Sequence, residues 1–264
     1  MTGRLRAGRG PALVFGAVLL LCAPALGQES ALDPAAFDPA AWPLSSVGRV
    51  NVITGANRRT QCTGALIGPR HVLTAAHCLY NATRQMWVHP TSVHFVAGYA
   101  RGAYRAHAQA ASYERGPGFV LTDPPRLDAI AEDWAIIRLA DAMDLKPIPV
   151  RRESPEAGSP PVLRAGYRGD RAHVLTVHRD CAAAFVAAAG APLLRTCSSV
   201  KGESGSALLD VGTGEPEIVG VLSASAPHDG TGASLAVPSS TFAAAVARAL
   251  DRPDATTVRE RTPE

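Results

Sequence analysis

Punctuation is the strongest constraint on this chain: 24 glycines and 21 prolines break it into short runs rich in β-branched residues. Runs at 49–54, 72–74, 92–97, 134–139, 162–166 and 217–223 read as strands bounded by turn residues. Many short strands at this spacing fit a sandwich or a barrel, and no internal repeat is visible. Long amphipathic helices are scarce. The exception is 241–250, where Phe242, Val246 and Leu250 recur at four-residue spacing behind Pro238, Ser239 and Ser240, whose hydroxyls are candidate N-caps. A stretch rich in Pro, Arg and Glu, 144–157, reads as a connector between two β-rich halves, and 251–264 as a polar tail.

The N-terminus sets the compartment. Arg4, Arg6 and Arg9 precede the apolar run 13–21, which is too short to span a bilayer, and Ala25 and Gly27 satisfy a small-residue cleavage rule. Residues 1–27 therefore read as a secretory signal. Removing them takes away three arginines and no acid, so the formal charge falls from +3 to zero. A balanced chain gives no reason to propose nucleic acid as a partner. No later segment approaches transmembrane length, so no membrane association is expected once the signal is gone. Cys62, Cys78, Cys181 and Cys197 remain, an even number suited to an oxidising compartment, and two disulfides are expected. The chain reads as a soluble, secreted or periplasmic monomer.

Three segments carry chemistry. His77 ends a strand-like run, Leu73-Thr74-Ala75-Ala76-His77-Cys78. Asp133 opens an apolar strand, Asp133-Trp134-Ala135-Ile136-Ile137, where burial costs several kcal/mol (roughly) unless a partner bonds the carboxylate. Ser204 lies between glycines in Gly202-Glu203-Ser204-Gly205-Ser206, where the backbone can turn tightly and expose a hydroxyl. Each has an ordinary reading alone: a core histidine, a strand-capping aspartate, a surface serine. Together they supply a nucleophile, the base it needs, and an acid to fix the tautomer of that base.

In the order His, Asp, Ser, these motifs resemble the chymotrypsin-like, trypsin-fold serine endopeptidases, particularly the exported bacterial branch similar to glutamyl endopeptidases. The likeness runs from about Trp42-Pro43 to about Leu250. It implies an all-β fold of two packed six-stranded antiparallel β-barrels with a C-terminal helix. The first barrel would occupy about 42–143 and the second, with the helix, about 158–250, after an N-terminal segment 28–41 that serves as a short pro-region. His77 would be the general base, Asp133 its orienting acid and Ser204 the nucleophile. The backbone N–H groups of Gly202 and Ser204 would form the oxyanion hole. Ser223 matches a position that lines the substrate cleft and supports the buried aspartate. The resemblance also implies disulfides Cys62–Cys78 and Cys181–Cys197, although four cysteines allow other pairings.

The residues depart from the family pattern in places. Ser198 stands where trypsin has an acid at the pocket base, with Ser199 beside it, so cleavage after Lys or Arg is not expected. Glutamyl endopeptidases use a histidine where this chain has Leu222, which removes a charge partner for glutamate. Small or medium uncharged side chains are the expected preference of a protein or peptide substrate. The other histidines, His71, His89, His94, His107, His173, His178 and His228, form no ligand motif, so neither a metal nor a cofactor is expected.

Two rival classes are a catalytically silent member of the fold that binds proteins, and an esterase of the α/β-hydrolase type. Retention of all three residue types argues against the first. The second wants G-x-S-x-G and places its serine before the acid and histidine. In trypsin-like zymogens the acid before the nucleophile pairs with a newly released N-terminus, and the sequence leaves open whether Glu203 does so. Export with trimming around 28–38 is expected to yield the final form. N-terminal sequencing of the exported protein checks this, and a start beyond Trp42 would refute it.

Overall fold

The structure, a computed structural model, describes residues 38–123, 125–153, 162–188, 191–212, 214–225 and 232–252. Eight strands precede the connector: β1 (Val47–Gly55), β2 (Arg58–Gly68), β3 (His71–Thr74), β4 (Tyr80–Asn81), β5 (Met86–Trp87), β6 (Val93–Ala97), β7 (Ala106–Arg115) and β8 (Ala135–Leu139). Six of these close a barrel in the order β1-β2-β3-β8-β7-β6, while β4 and β5 form a small separate ribbon. A short helix α1 (Leu127–Ile130) interrupts the passage from β7 to β8. The pattern of β1 shows why the barrel forms: Val50 and Val52 point inward with no exposure, while Arg49, Asn51 and Ile53 face out. Val72, Phe95, Ile137 and Leu139 meet them inside.

The second half contains β9 (Val162–Gly166), β10 (Thr176–Cys181), β11 (Ala184–Ala188), β12 (Ala191–Thr196), β13 (Ala207–Asp210), β14 (Glu217–Ser225) and β15 (Ser234–Pro238). They make a seven-stranded sheet in the order β10-β9-β13-β14-β15-β12-β11. Six strands were expected. The extra one arises because the sheet's two edges, β10 and β11, are successive in the chain and separated only by Ala182 and Ala183. One interrupted strand thus supplies both edges, and the sheet wraps round through its covalent bend. The fold is thus mostly β, a closed six-stranded barrel beside a second sheet of seven strands, with a helix at the C-terminal end of the described residues.

One apolar cluster joins the halves. Leu73, Trp134 and Ile136 of the first half pack with Leu163, Tyr167, Ile218 and Phe242 of the second. Each such side chain, fully removed from water, contributes roughly 1.5–3 kcal/mol, so the seam is a core shared by both halves. The helix α2 (Ser239–Asp251) seals it with Phe242, Ala245, Val246 and Ala249, a stripe at helical spacing. The expected stripe is corrected at its end: Leu250 is 43% exposed, since the ridge that meets the sheet continues through Ala249 instead. The N-cap expectation is also corrected. Pro238 occupies the cap with no side-chain bond, because Ser239 Oγ donates instead to the Glu153 carbonyl. The connector is pinned where it is described, with the Ile148 N–H on Leu66 and the Arg151 N–H on Ile218.

Both implied disulfides, Cys62–Cys78 and Cys181–Cys197, are formed, with Cα separations of 6.1 and 5.2 Å. Each closes a short loop, which in the chain-entropy account restricts the unfolded state by about 3 kcal/mol. Replacing Cys62 and Cys78 together by Ser is expected to lower the thermal midpoint by several degrees, read by calorimetry under oxidising conditions.

Candidate active site

His77 lies in a single 3₁₀ turn, Ala76–Leu79, directly after β3. Its backbone N–H donates to Asp133 Oδ1 at 2.8 Å, and its Nδ1 lies 2.7 Å from Asp133 Oδ2. Ser223 Oγ, reaching from β14 of the other half, donates to the same Oδ2. Asp133 is 3% exposed, and burial alone would push its carboxyl up. The His77 charge and the hydrogen bonds from His77 and Ser223 outweigh that, so the group is held below its ordinary value and ionised. An ionised carboxylate only accepts, so the shared proton belongs to His77 Nδ1 and the lone pair to Nε2. His77 shows the complementary effect: burial pushes it down, but the Asp133 charge and hydrogen bond carry it above its ordinary value.

Ser204 sits between Gly202, with φ +98°, and Gly205, with φ +81°. Both are in the left-handed region. A Cβ at 202 would come within 2.5 Å of the Tyr167 carbonyl oxygen, and one at 205 within 2.2 Å of the Thr63 carbonyl oxygen. Only glycine fits at either position. The turn is stitched to the first barrel by Thr63 of β2, which is fully buried. Its N–H donates to the Ser204 carbonyl at 2.8 Å, its hydroxyl donates to the Gly202 carbonyl at 3.0 Å, and that hydroxyl accepts the Tyr167 N–H at 2.9 Å. Thr74 Oγ1 in turn donates to the Thr63 carbonyl.

The Cys62–Cys78 disulfide touches both sides of the site. Cys78 Sγ is 3.8 Å from His77 Nε2 and 3.9 Å from the Ser204 carbonyl oxygen. Among the described residues no hydrogen bond joins His77 to Ser204. Cys62, His77 and Cys78 together have the composition of a metal site. Both sulfurs are committed to the disulfide, so neither offers a thiolate.

Behind the turn lies a buried ionic cluster. The Glu203 carboxylate, with no exposure, accepts from His178 Nε2 at 2.5 Å and from the Val200 N–H at 2.9 Å, and it stands 3.6 Å from Arg164 Nη2. Burial would raise Glu203, but these donors hold it below its ordinary value. Arg164 extends the support, donating to the carbonyls of Cys197 and Ser198 at 2.9 and 2.7 Å. Glu203 thus finds its hydrogen-bonding and ionic partners within the described chain.

Ser223 lines a cavity of about 180 Å³ together with His77 and the apolar Phe119, Val120, Leu121 and Ile130. Ser198 and Ser199 do not line it. Ser198 is exposed and lends its carbonyl to Arg164, while Ser199 Oγ pairs with Ser234 Oγ at 2.7 Å. Sequence reasoning missed Thr63, Arg164, His178 and the apolar wall of Phe119, Val120, Leu121 and Ile130. Arg164 carried one signal, a charged residue inside an otherwise apolar run, and the others carried none.

The description "Trypsin-like peptidase domain" matches residues 62–221 of this chain. No curated protein sequence matches it. Among solved structures, a Glu endopeptidase superposes with a TM-score of 0.61 at 19% identity, covering 82% of this chain and 95% of that one. A thermostable serine protease, AL20, from an extremophilic microorganism gives 0.58 at 14% identity, covering 76% and 94%. The Vibrio cholerae VesB protease gives 0.59 at 19% identity, covering 78% and 64%.

Two outcomes are expected from this geometry. Thr63→Val should cost about 1–3 kcal/mol, because the Gly202 carbonyl and Tyr167 N–H lose their buried partner, as denaturant titration would show. Glu203→Gln should be destabilising at neutral pH, but its deficit should shrink as pH falls below 4.5. The native carboxylate is depressed, so its contribution is present above that value and lost as acid protonates it.

Proposed function

The chain belongs to the trypsin-like peptidase domain family, and we propose that it is an exported serine endopeptidase that cleaves peptide bonds through an acyl-enzyme. The observation that carries this reading is the doubly bonded Asp133–His77 pair, which leaves His77 Nε2 as the free base, with Cys78 Sγ lying between that nitrogen and the half-buried turn of Ser204. Ser204 Oγ attacks the substrate carbonyl as His77 Nε2 takes its proton. The imidazolium that results is stabilised by Asp133, and it returns the proton to the leaving amine. Water then repeats the sequence to release the acid. The hydrogen bond between Ser204 Oγ and His77 Nε2 forms when substrate fills the cleft, as catalytic hydrogen bonds often complete only in the complex.

In this reading the N–H groups of Gly202 and Ser204 hold the developing oxyanion, and the loss of one such donor typically costs about 10²–10³ in turnover. Glu203 keeps that turn in place through Arg164 and His178. An internal pair serves where a zymogen would await a new N-terminus, which supports maturation by signal removal and trimming alone. Ser223 orients Asp133 and borders the apolar cavity that takes a substrate side chain. Ser198 and Ser199 shape the primary pocket. With Leu222 buried on the pocket strand and Arg164 already spent on Glu203, that pocket favours small or medium uncharged residues.

Labelling of the purified protein by a serine-directed phosphonate, mapped to Ser204 and abolished in Ser204→Ala, is the primary test; a silent binding module would take no label. Asp133→Asn is expected to preserve folding while lowering turnover by about 10⁴, the scale for a lost tautomer in this mechanism. A loss below about tenfold would remove Asp133 from the role. Since His77 must be neutral to accept a proton and is held above its ordinary 6.5, activity should climb as pH rises through a value above 6.5. A peptide-library digest dominated by Glu, Lys or Arg at the cleavage position would overturn the specificity.

A further inference from the structure

Outside the seam, the outer face of the first barrel carries an unbalanced charge. Arg49 on β1, Arg59 on β2, His94 on β6 and His107 on β7 line one open groove of about 590 Å³. A second groove, of about 860 Å³, shares Arg59 and Thr60 with the first and adds Arg58, Arg84 and Lys201. Neither groove is lined by any Asp or Glu among the described residues. Without its signal this chain has as many acids as bases, so such segregation is not what its composition supplies. Arg58, Arg59, Arg84 and Lys201 are all exposed, and none forms an ion pair among the described residues.

Local chemistry supports the same sign. The His94 and His107 rings are stacked at 5.2 Å with Nδ1 and Nε2 3.0 Å apart, so one nitrogen of that contact donates to the other. Burial, followed by the charges of His107 and Arg59, holds His94 below its ordinary value, as a positive field would. Arg49 lies over the Tyr99 ring at 4.7 Å, and its buried Nε has no hydrogen-bond partner among the described residues. These positive neighbours oppose a metal cation on the two imidazoles and favour an anion.

We propose that these two grooves form one docking belt for an acidic polypeptide segment. The occupant follows from where the belt ends. Lys201 immediately precedes the Gly202–Gly205 turn, and Gln61 of the first groove immediately precedes Cys62, whose disulfide partner Cys78 follows His77. A chain crossing Ser204 therefore continues onto the belt, and on the reading of the site as an endopeptidase that chain is a polypeptide substrate. The belt selects substrates with acidic residues flanking the scissile bond. It does so by long-range attraction, which raises encounter rates and fades as salt screens it.

The test uses the full chain and a fluorescein-labelled hexaglutamate peptide, followed by fluorescence anisotropy across a salt series. Binding is expected at low salt, weakening steadily as salt rises, with no binding of a labelled hexaserine. In the double variant Arg59→Gln/Arg84→Gln, affinity should fall roughly tenfold, the scale of two exposed ion pairs lost at low salt. Hydrolysis of a short uncharged ester should be unchanged in that variant, while kcat/KM for a peptide with an acidic flank should fall. Equal hexaglutamate binding by the variant, or equal binding of hexaserine, overturns the proposal. So does tighter binding of a heparin fragment or an oligonucleotide than of hexaglutamate. Binding without any hydrolysis would sustain the belt and sink the endopeptidase reading, whereas phosphonate labelling of Ser204 without hexaglutamate binding would do the reverse.

Discussion

A single buried carboxylate organises the molecule. Asp133 stands at the mouth of the first barrel, yet one of its three donors, Ser223, comes from the second, so its desolvation is offset only when both halves are folded and docked. Leaving such a charge unpaired would cost several kcal/mol (roughly), more than most single contacts contribute. The seam is therefore coupled to the chemistry proposed for it. An arrangement that separates the halves also exposes an uncompensated charge and frees the imidazole to rotate.

Thr63 and Glu203 repeat this logic on the serine side. Thr63 comes from the first barrel but satisfies backbone groups at Gly202, Ser204 and Tyr167, all in the second half. Glu203 faces the other way, into Arg164 and His178 of its own sheet. The turn that carries Ser204 is held from both flanks, while its two glycines accept dihedral angles and close approaches that no other residue tolerates. Rigidity at this point is what an oxyanion site requires, because preorganised donors need no rearrangement as charge develops.

Several elements were legible because their signals are local. The strands at 162–166 and Ala135–Leu139 could be read from their apolar runs, to the residue and to within one, and Val47–Gly55 to within two, since inward and outward positions alternate along it. The seventh strand of the second sheet was not legible, because the break at Ala182 and Ala183 carries no turn residue. The end of the helical stripe was misjudged at Leu250 because spacing alone does not say which ridge meets the sheet. Thr63 left no trace at all, since a hydroxyl beside a cysteine means nothing until the residue it touches, more than a hundred positions away, is known.

By itself the sequence determined the strand-rich class, the four cysteines available for bridging, and the order of a histidine, an aspartate and a glycine-flanked serine. These depend on side-chain type and short-range spacing, which a chain carries whether folded or not. Only the tertiary structure decided that Ser223 and His77 share one carboxylate, that Glu203 meets Arg164 and His178, and that cations from distant parts of the chain line two grooves with no acid in the lining among the described residues. Those are long-range pairings, fixed by how a closed barrel packs against a seven-stranded sheet, and no local pattern encodes them.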